Sequence, residues 1–205
     1  MKWKHFWGIA IPFLGQFLAA SAQGGNYSVL LEYNRTAKFP ALREKAGLTV
    51  AVAPVEDERS DKEFIGRYSP RRNQPSYFKS EPVSIDKAIQ ECFRTALIRS
   101  GIETVPVLSW DGKPEFLKRM SADAILRVVI RRFWMEGTAG PLRTKLYASI
   151  HFVCSLGVKK LGRVFIQNIL MEKNRTLGTL SPQGVVEWIN RNSEDAVDSF
   201  LSSLY

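Results

Sequence analysis

Polar and apolar residues alternate along a stretch at the end of the third quarter of the chain. Leu146, Ala148, Ile150, Phe152, Cys154 and Leu156 fall on one side, and Arg143, Lys145, Tyr147, Ser149 and His151 on the other. A period of two predicts a strand from Leu142 to Leu156 with one face on the core and one in water. Ala122 to Met135, rich in branched residues, predicts a strand before it, and Arg163 to Lys173 a strand after it. Gly137–Gly140 and Gly157–Gly162 read as short turns, so the three strands form an antiparallel meander.

The pattern changes to a helical one from Ser84, a plausible N-cap. Ile85, Ala88, Ile89, Cys92, Phe93, Ala96 and Leu97 recur at spacings of three and four and make one apolar stripe, with Gly101 just beyond the last turn. A second helix opens at Ser181-Pro182 and carries Val185, Ile189, Ala196, Val197, Phe200, Leu201 and Leu204 on one face. Leu48 to Ala53 is a short apolar run suited to a central strand. Ile102 to Val107 reads as another strand, and Pro114 to Met120 as a short helix. The predicted class is α+β: a mixed sheet containing the meander, with helices packed on one face.

Two stretches lack a pattern. Residues 23–47 read as an irregular lead-in, apart from a short strand between Tyr27 and Tyr33. Val55 to Pro82, with prolines at 70, 75 and 82, reads as one long polar loop. A loop of that length inside a compact domain is usually functional or mobile.

The amino terminus has the composition of a secretory signal over residues 1–22. Lys2 and Lys4 are basic, an apolar run follows from Phe6 to about Ala20, and Ala20-Ser21-Ala22 supplies small residues for cleavage. The run is short of the roughly 20 residues that a membrane span needs. The expectation is a periplasmic or secreted protein with a mature chain from about Gln23, a single α+β domain over 48–205, and release rather than lipid tethering, since no cysteine stands near the cleavage point. Sequons at Asn26, Asn34 and Asn174 add little.

Composition narrows the function classes. A formal charge of +9 on an exported chain points to anionic lipid, glycolipid or cell-wall polymer, and away from nucleic acid, which that compartment rarely offers. Two widely spaced cysteines, Cys92 and Cys154, exclude a disulfide-dense scaffold and a four-cysteine zinc site. Both fall on apolar faces, either as two buried thiols or as a helix-to-sheet disulfide. Outside the leader the one histidine is His151, on the polar side of its strand with no partner set. No nucleophile triad, HExxH, Walker or dinucleotide pattern occurs, and no cofactor or metal is expected. Asp57 and Asp61 are either paired carboxylates for a cation or part of a loop in which Asp57 bonds Arg59.

The basic residues are the candidate binding set. Arg127 and Arg131 share a face of their strand, Arg143 and Lys145 share the polar face of the next, and Arg163 opens the third. Paired antiparallel, they would merge with Tyr147 into a cationic sheet face, or remain an ordinary solvated one. Trp110, Trp134 and Trp188 are candidate anchors if exposed.

The run LTVAVAP leading into VEDERSDKEFIG, the helix end LIRSGIETV and the strand entry SADAILRVVIRRF together resemble the YajG-like group of small bacterial envelope lipoproteins. Asp57, Arg59 and Gly66 match its loop pattern, and Ala122 and Asp123 its strand entry. The likeness spans roughly Leu48 to Tyr205 and extends to the auxiliary lipoproteins of lipid-transporting ABC systems. The lipid-anchor cysteine of the group is missing. What the resemblance implies is a partly buried Arg59 that shapes its loop, and no catalytic residue. The expected function is a non-enzymatic envelope protein that binds an envelope component or a protein partner. The alternative is an auxiliary subunit of a lipid-transporting ABC-type assembly.

Overall fold

The computed structural model describes residues 25–36 and 38–203. The expected signal segment, residues 1–22, lies outside the described residues. The fold is α+β. Its backbone is a meander of three long strands, β7 (Ala124–Ala139), β8 (Arg143–Val158) and β9 (Arg163–Gly178), each of 16 residues. All three outlast their predicted ends, β7 and β8 because two of the glycines read as turns are strand residues. A Cβ on Gly137 would lie 3.0 Å from the Tyr68 ring, and one on Gly157 only 2.6 Å from Leu117 and 2.9 Å from Trp110. These glycines mark close packing across the sheet, not chain reversal.

β7 is the spine. One edge pairs with β8 along its whole length. The other edge receives three parallel strands in succession: β2 (Thr49–Val52) opposite residues 124–126, β3 (Glu56–Asp57) opposite 129–130, and β4 (Gly66–Ser69) opposite 135–138. The segment expected to be one long loop therefore holds β3, β4 and β5 (Ser76–Ser80), with β4 and β5 antiparallel. Its inward positions include Gly66 and Ser76 beside Tyr68 and Phe78, so no apolar alternation betrays the strands. Gly66 is required where it stands: a Cβ there would lie 2.2 Å from the Met135 carbonyl oxygen.

The expected irregular lead-in is corrected in the same way. It contains β1 (Asn26–Val29), parallel to β5, and helix α1 (Pro40–Ala46). Val29, Leu31, Tyr33, Phe39, Leu42 and Ala46 belong to the main core. Arg35 fastens this segment to the last helix by ion pairs to Glu194, Asp195 and Asp198, and the Tyr33 hydroxyl donates to Asp198 at 2.6 Å.

Helices α2 (Ile85–Arg99) and α3 (Pro182–Ser202) lay their predicted stripes on the same side of the sheet as α1, Leu204 of the second stripe lying outside the described residues. Gly101 ends α2 with φ +78°, and the Ser181 hydroxyl caps α3 by accepting from the Gly184 N–H. β2 is covered on both faces, as its continuous apolar run requires. Val50 and Val52 face the helices, while Ala51 joins Trp110, Leu117 and Ile125 in a small second core under a 3-10 turn at Pro114–Lys118. β6 (Glu103–Pro106) closes that end of the sheet.

Candidate functional site

The loop motif and the basic residues are the two places where chemistry was expected, and local geometry treats them differently. After β3 the chain folds around Arg59. Its Nε and Nη2 donate to the two carboxylate oxygens of Asp57, both at 2.9 Å, and Nη1 and Nη2 donate to the carbonyls of Phe64 (2.7 Å) and Lys62 (3.2 Å). Asp57 also accepts from the Arg59 backbone N–H, and Asp61 accepts from the N–H groups of Glu63 and Phe64. The Arg59 residue is only 6% exposed. All three of its guanidinium nitrogens donate inside its own loop, taking four of its five N–H groups, so it organises the chain and offers no donor fork to a ligand. A polar cleft of about 510 Å³ opens beside this loop, but its Lys79 is paired with Glu63 at 2.7 Å. No group of three or more metal-ligating side chains occurs among the described residues.

The predicted cationic sheet face does not assemble. Arg127 makes a two-pronged pair with Glu56, 2.8 Å at each prong, and Arg131 is paired with Glu58. Both acids come from the β3 segment. A bulge between Ile130 and Arg132 also shifts the register, and Arg131 is the inserted residue. Inward positions therefore switch from Ile130 to Phe133, and Arg131 and Arg132 are both exposed. Arg163 stands opposite Val158, a core residue, so it has the parity of the helix-covered face. Arg127 pairs with Ser155, twelve positions along β8 from Arg143, or about 40 Å at strand rise.

Arg143 and Lys145 alone remain from the expected set, and the structure supplies new neighbours for them. Ser69, the last residue of β4, is in register with Thr138 near the end of β7. The β4–β5 turn, carrying Arg71 and Arg72, thus sits at the same end of the sheet as the β7–β8 turn. Lys145 is in register with both Thr138 and Thr176, and Arg175 with Leu146. Arg71, Arg72, Arg143, Lys145 and Arg175 are all exposed, and none is ion-paired among the described residues. Leu142 stands at the apex of the hairpin, 81% exposed, over a shallow groove bordered by Thr138, Pro141 and Thr176. The turn beneath is held by the Gly140 N–H donating to the Arg143 carbonyl at 2.7 Å.

The cationic site is therefore an end of the sheet, with Arg143 and Lys145 on one face and Arg175 on the other. Sequence reasoning missed Arg71, Arg72 and Arg175 because only the pairing of β4 with β7 and β9 with β8 brings them there. Tyr147 lies on the outer face beside it, its hydroxyl 3.5 Å from Glu172.

The remaining candidates are structural. His151 lies 3.3 Å from the Asn168 amide oxygen across the β8–β9 pair. Cys92 and Cys154 are free, not bridged. Burial pushes the Cys92 thiol up to about 12, with the carboxylates of Glu194, Glu91 and Glu32 adding to it, and burial alone pushes Cys154 up. Trp110 and Trp188 are buried and Trp134 half-buried, so none projects as an anchor.

No family model and no curated protein matches the chain. Solved structures similar to it include a Xanthomonas campestris protein of the family model DUF330, 13% identical over 87% of this chain and 91% of that one, with a TM-score of 0.46. A neuraminyllactose-binding hemagglutinin homolog from Helicobacter pylori is 12% identical over 85% and 92% of the two chains, with a TM-score of 0.42. Lipoprotein GNA1162 from Neisseria meningitidis is 13% identical over 74% and 98%, with a TM-score of 0.35.

Proposed function

We propose that this is an exported, non-enzymatic binding protein of the cell envelope, and that the cationic end of the meander docks on an anionic lipid surface. One observation carries the reading. Arg71, Arg72, Arg143, Lys145 and Arg175 converge on one end of the sheet without ion-pair partners among the described residues, around an exposed Leu142. Of the other arginines expected to bind, Arg127 and Arg131 are neutralised by Glu56 and Glu58 of the same chain, and Arg163 opens β9 on the helix-covered face, opposite Val158 at the other end of β8.

The physics suits a membrane surface better than a pocket ligand. A lysine or arginine near an anionic leaflet is worth roughly 1 kcal/mol. Five of them supply about 5 kcal/mol, which corresponds to binding in the submillimolar range. The apex leucine adds an apolar contact that a soluble polyanion would not reward. The association is accordingly reversible and sensitive to salt.

Vesicle flotation tests it. Purified protein should float with vesicles containing anionic phospholipid and stay behind with zwitterionic ones, and should be released as salt rises. Equal flotation with both, or with neither, overturns the reading.

A further inference from the structure

We infer that the chain pairs with a second copy of itself through the free edge of β9, antiparallel about a two-fold axis at Asn168, which extends the sheet across two molecules. This goes beyond the membrane reading and does not depend on it.

The observation is an unprotected edge. Among the described residues β9 pairs only with β8, so along its other side the backbone donors and acceptors that point outward have no strand to meet. Soluble proteins blunt such edges with charge, proline, bulges or brevity. The stretch Val164–Met171 has none of these: it contains no charged residue and no proline, and its register with β8 runs through all its pairs without a shift. Ile166 and Leu170 project from its outer face, 67% and 72% exposed. Charge returns only at the flanks, in Arg163 and from Glu172 onward.

The stretch fits itself. In an antiparallel pair whose two-fold axis is perpendicular to the sheet, facing residues have numbers that sum to a constant even value. With the axis at Asn168, Ile166 faces Leu170 of the second copy and Phe165 faces Met171, both apolar pairs on their respective faces. The two Asn168 side chains meet each other and can exchange amide hydrogen bonds. The other terminal strands of the sheet cannot offer as much. β1 is four residues long, and β6 is four residues that begin with Glu103 and end in Pro106. Head-to-tail pairing of β9 with either would cover half the stretch, whereas β9 with β9 covers all of it.

The register makes the test specific. Sedimentation equilibrium over roughly 1 to 100 μM should show a monomer–dimer equilibrium for the natural protein. In I166K/L170K lysine faces lysine across the axis, and dissociation should become at least about tenfold easier. In I166K/L170E each lysine faces a glutamate, and dimer should return. Both sites are exposed, so circular dichroism should report the same fold in all three proteins. A natural protein that stays monomeric, a lysine pair that leaves the dimer unchanged, or a lysine–glutamate variant that dissociates like the lysine pair each overturns the inference.

Discussion

Glu56 accepts both hydrogen bonds from one edge of the Arg127 guanidinium, at 2.8 Å from Nε and 2.8 Å from Nη2. The pair ties the two-residue strand β3 to the spine β7, and its hydrogen bonds and charge, outweighing the opposing effect of burial, keep Arg127 charged to still higher pH than an ordinary arginine. With the neighbouring Arg131–Glu58 pair it neutralises two arginines of the spine, whereas no acid of the described residues pairs with Arg71, Arg72, Arg143, Lys145 or Arg175 at the end of the sheet.

Arg59→Ala should destabilise the protein by about 3 kcal/mol, because it strands the Asp57 carboxylate and the carbonyls of Lys62 and Phe64. Arg59→Lys should recover only part of the loss, since an ammonium cannot reproduce the two-pronged contact. Urea unfolding measures both. A loss below about 1 kcal/mol for the alanine variant would mean that the loop does not depend on Arg59.

Gly66→Ala should cost about 3 kcal/mol, since its Cβ would meet the Met135 carbonyl oxygen at 2.2 Å and force β4 off the spine. Thermal melting should fall by roughly 6–12 °C for a protein of this size. An unchanged melting temperature would contradict the close approach of the two strands.

Acid should loosen the contact between the amino-terminal segment and α3. Burial raises the Asp195 carboxyl, but hydrogen bonds and charge from Lys173 and Arg35 outweigh it and hold the group below its ordinary value. A carboxylate depressed in the folded state stabilises fully above the unfolded value near 4, and loses that contribution as pH falls through the folded value. Arg35→Ala should therefore cost about 2 kcal/mol at neutral pH and flatten the fall of stability below about pH 4. An identical acid slope in the variant would show that Arg35 does not carry the effect.

Neither cysteine should react with a thiol reagent in the folded protein at neutral pH, because burial disfavours both thiolates. Unfolding without reductant should release two reactive thiols. Recovery of none would show a disulfide in place of the free pair.

The sequence made the long-period features legible and the long-range ones opaque. The alternation from Leu146 to Leu156 is visible because that strand meets the core on one face only, and the α2 stripe is visible because one face of a helix does the same. Helix α1 escaped notice because seven residues with Leu42 and Ala46 buried make too short a stripe to stand out. β4 escaped because its inward residue Gly66 is dictated by backbone contact and not by hydrophobicity. The cationic face was misjudged for a third reason. Whether Arg131 and Arg163 share a surface depends on one bulge and one register, and neither leaves a mark on local composition. The Asp57–Arg59 arrangement was legible because both partners lie within two residues of each other.

Two variants with the same change in net charge test the central claim most directly. Neutralising Arg143 and Lys145 together (R143Q/K145Q) should weaken binding to anionic vesicles by roughly 10- to 30-fold, at about 1 kcal/mol for each charge removed. Neutralising Arg127 and Arg131 (R127Q/R131Q) should change it by less than about threefold, since those two are already paired with Glu56 and Glu58. Equal losses in the two variants would mean that net charge, and not the end of the meander, governs binding. A loss confined to R127Q/R131Q would place the site on the sheet face and contradict the account.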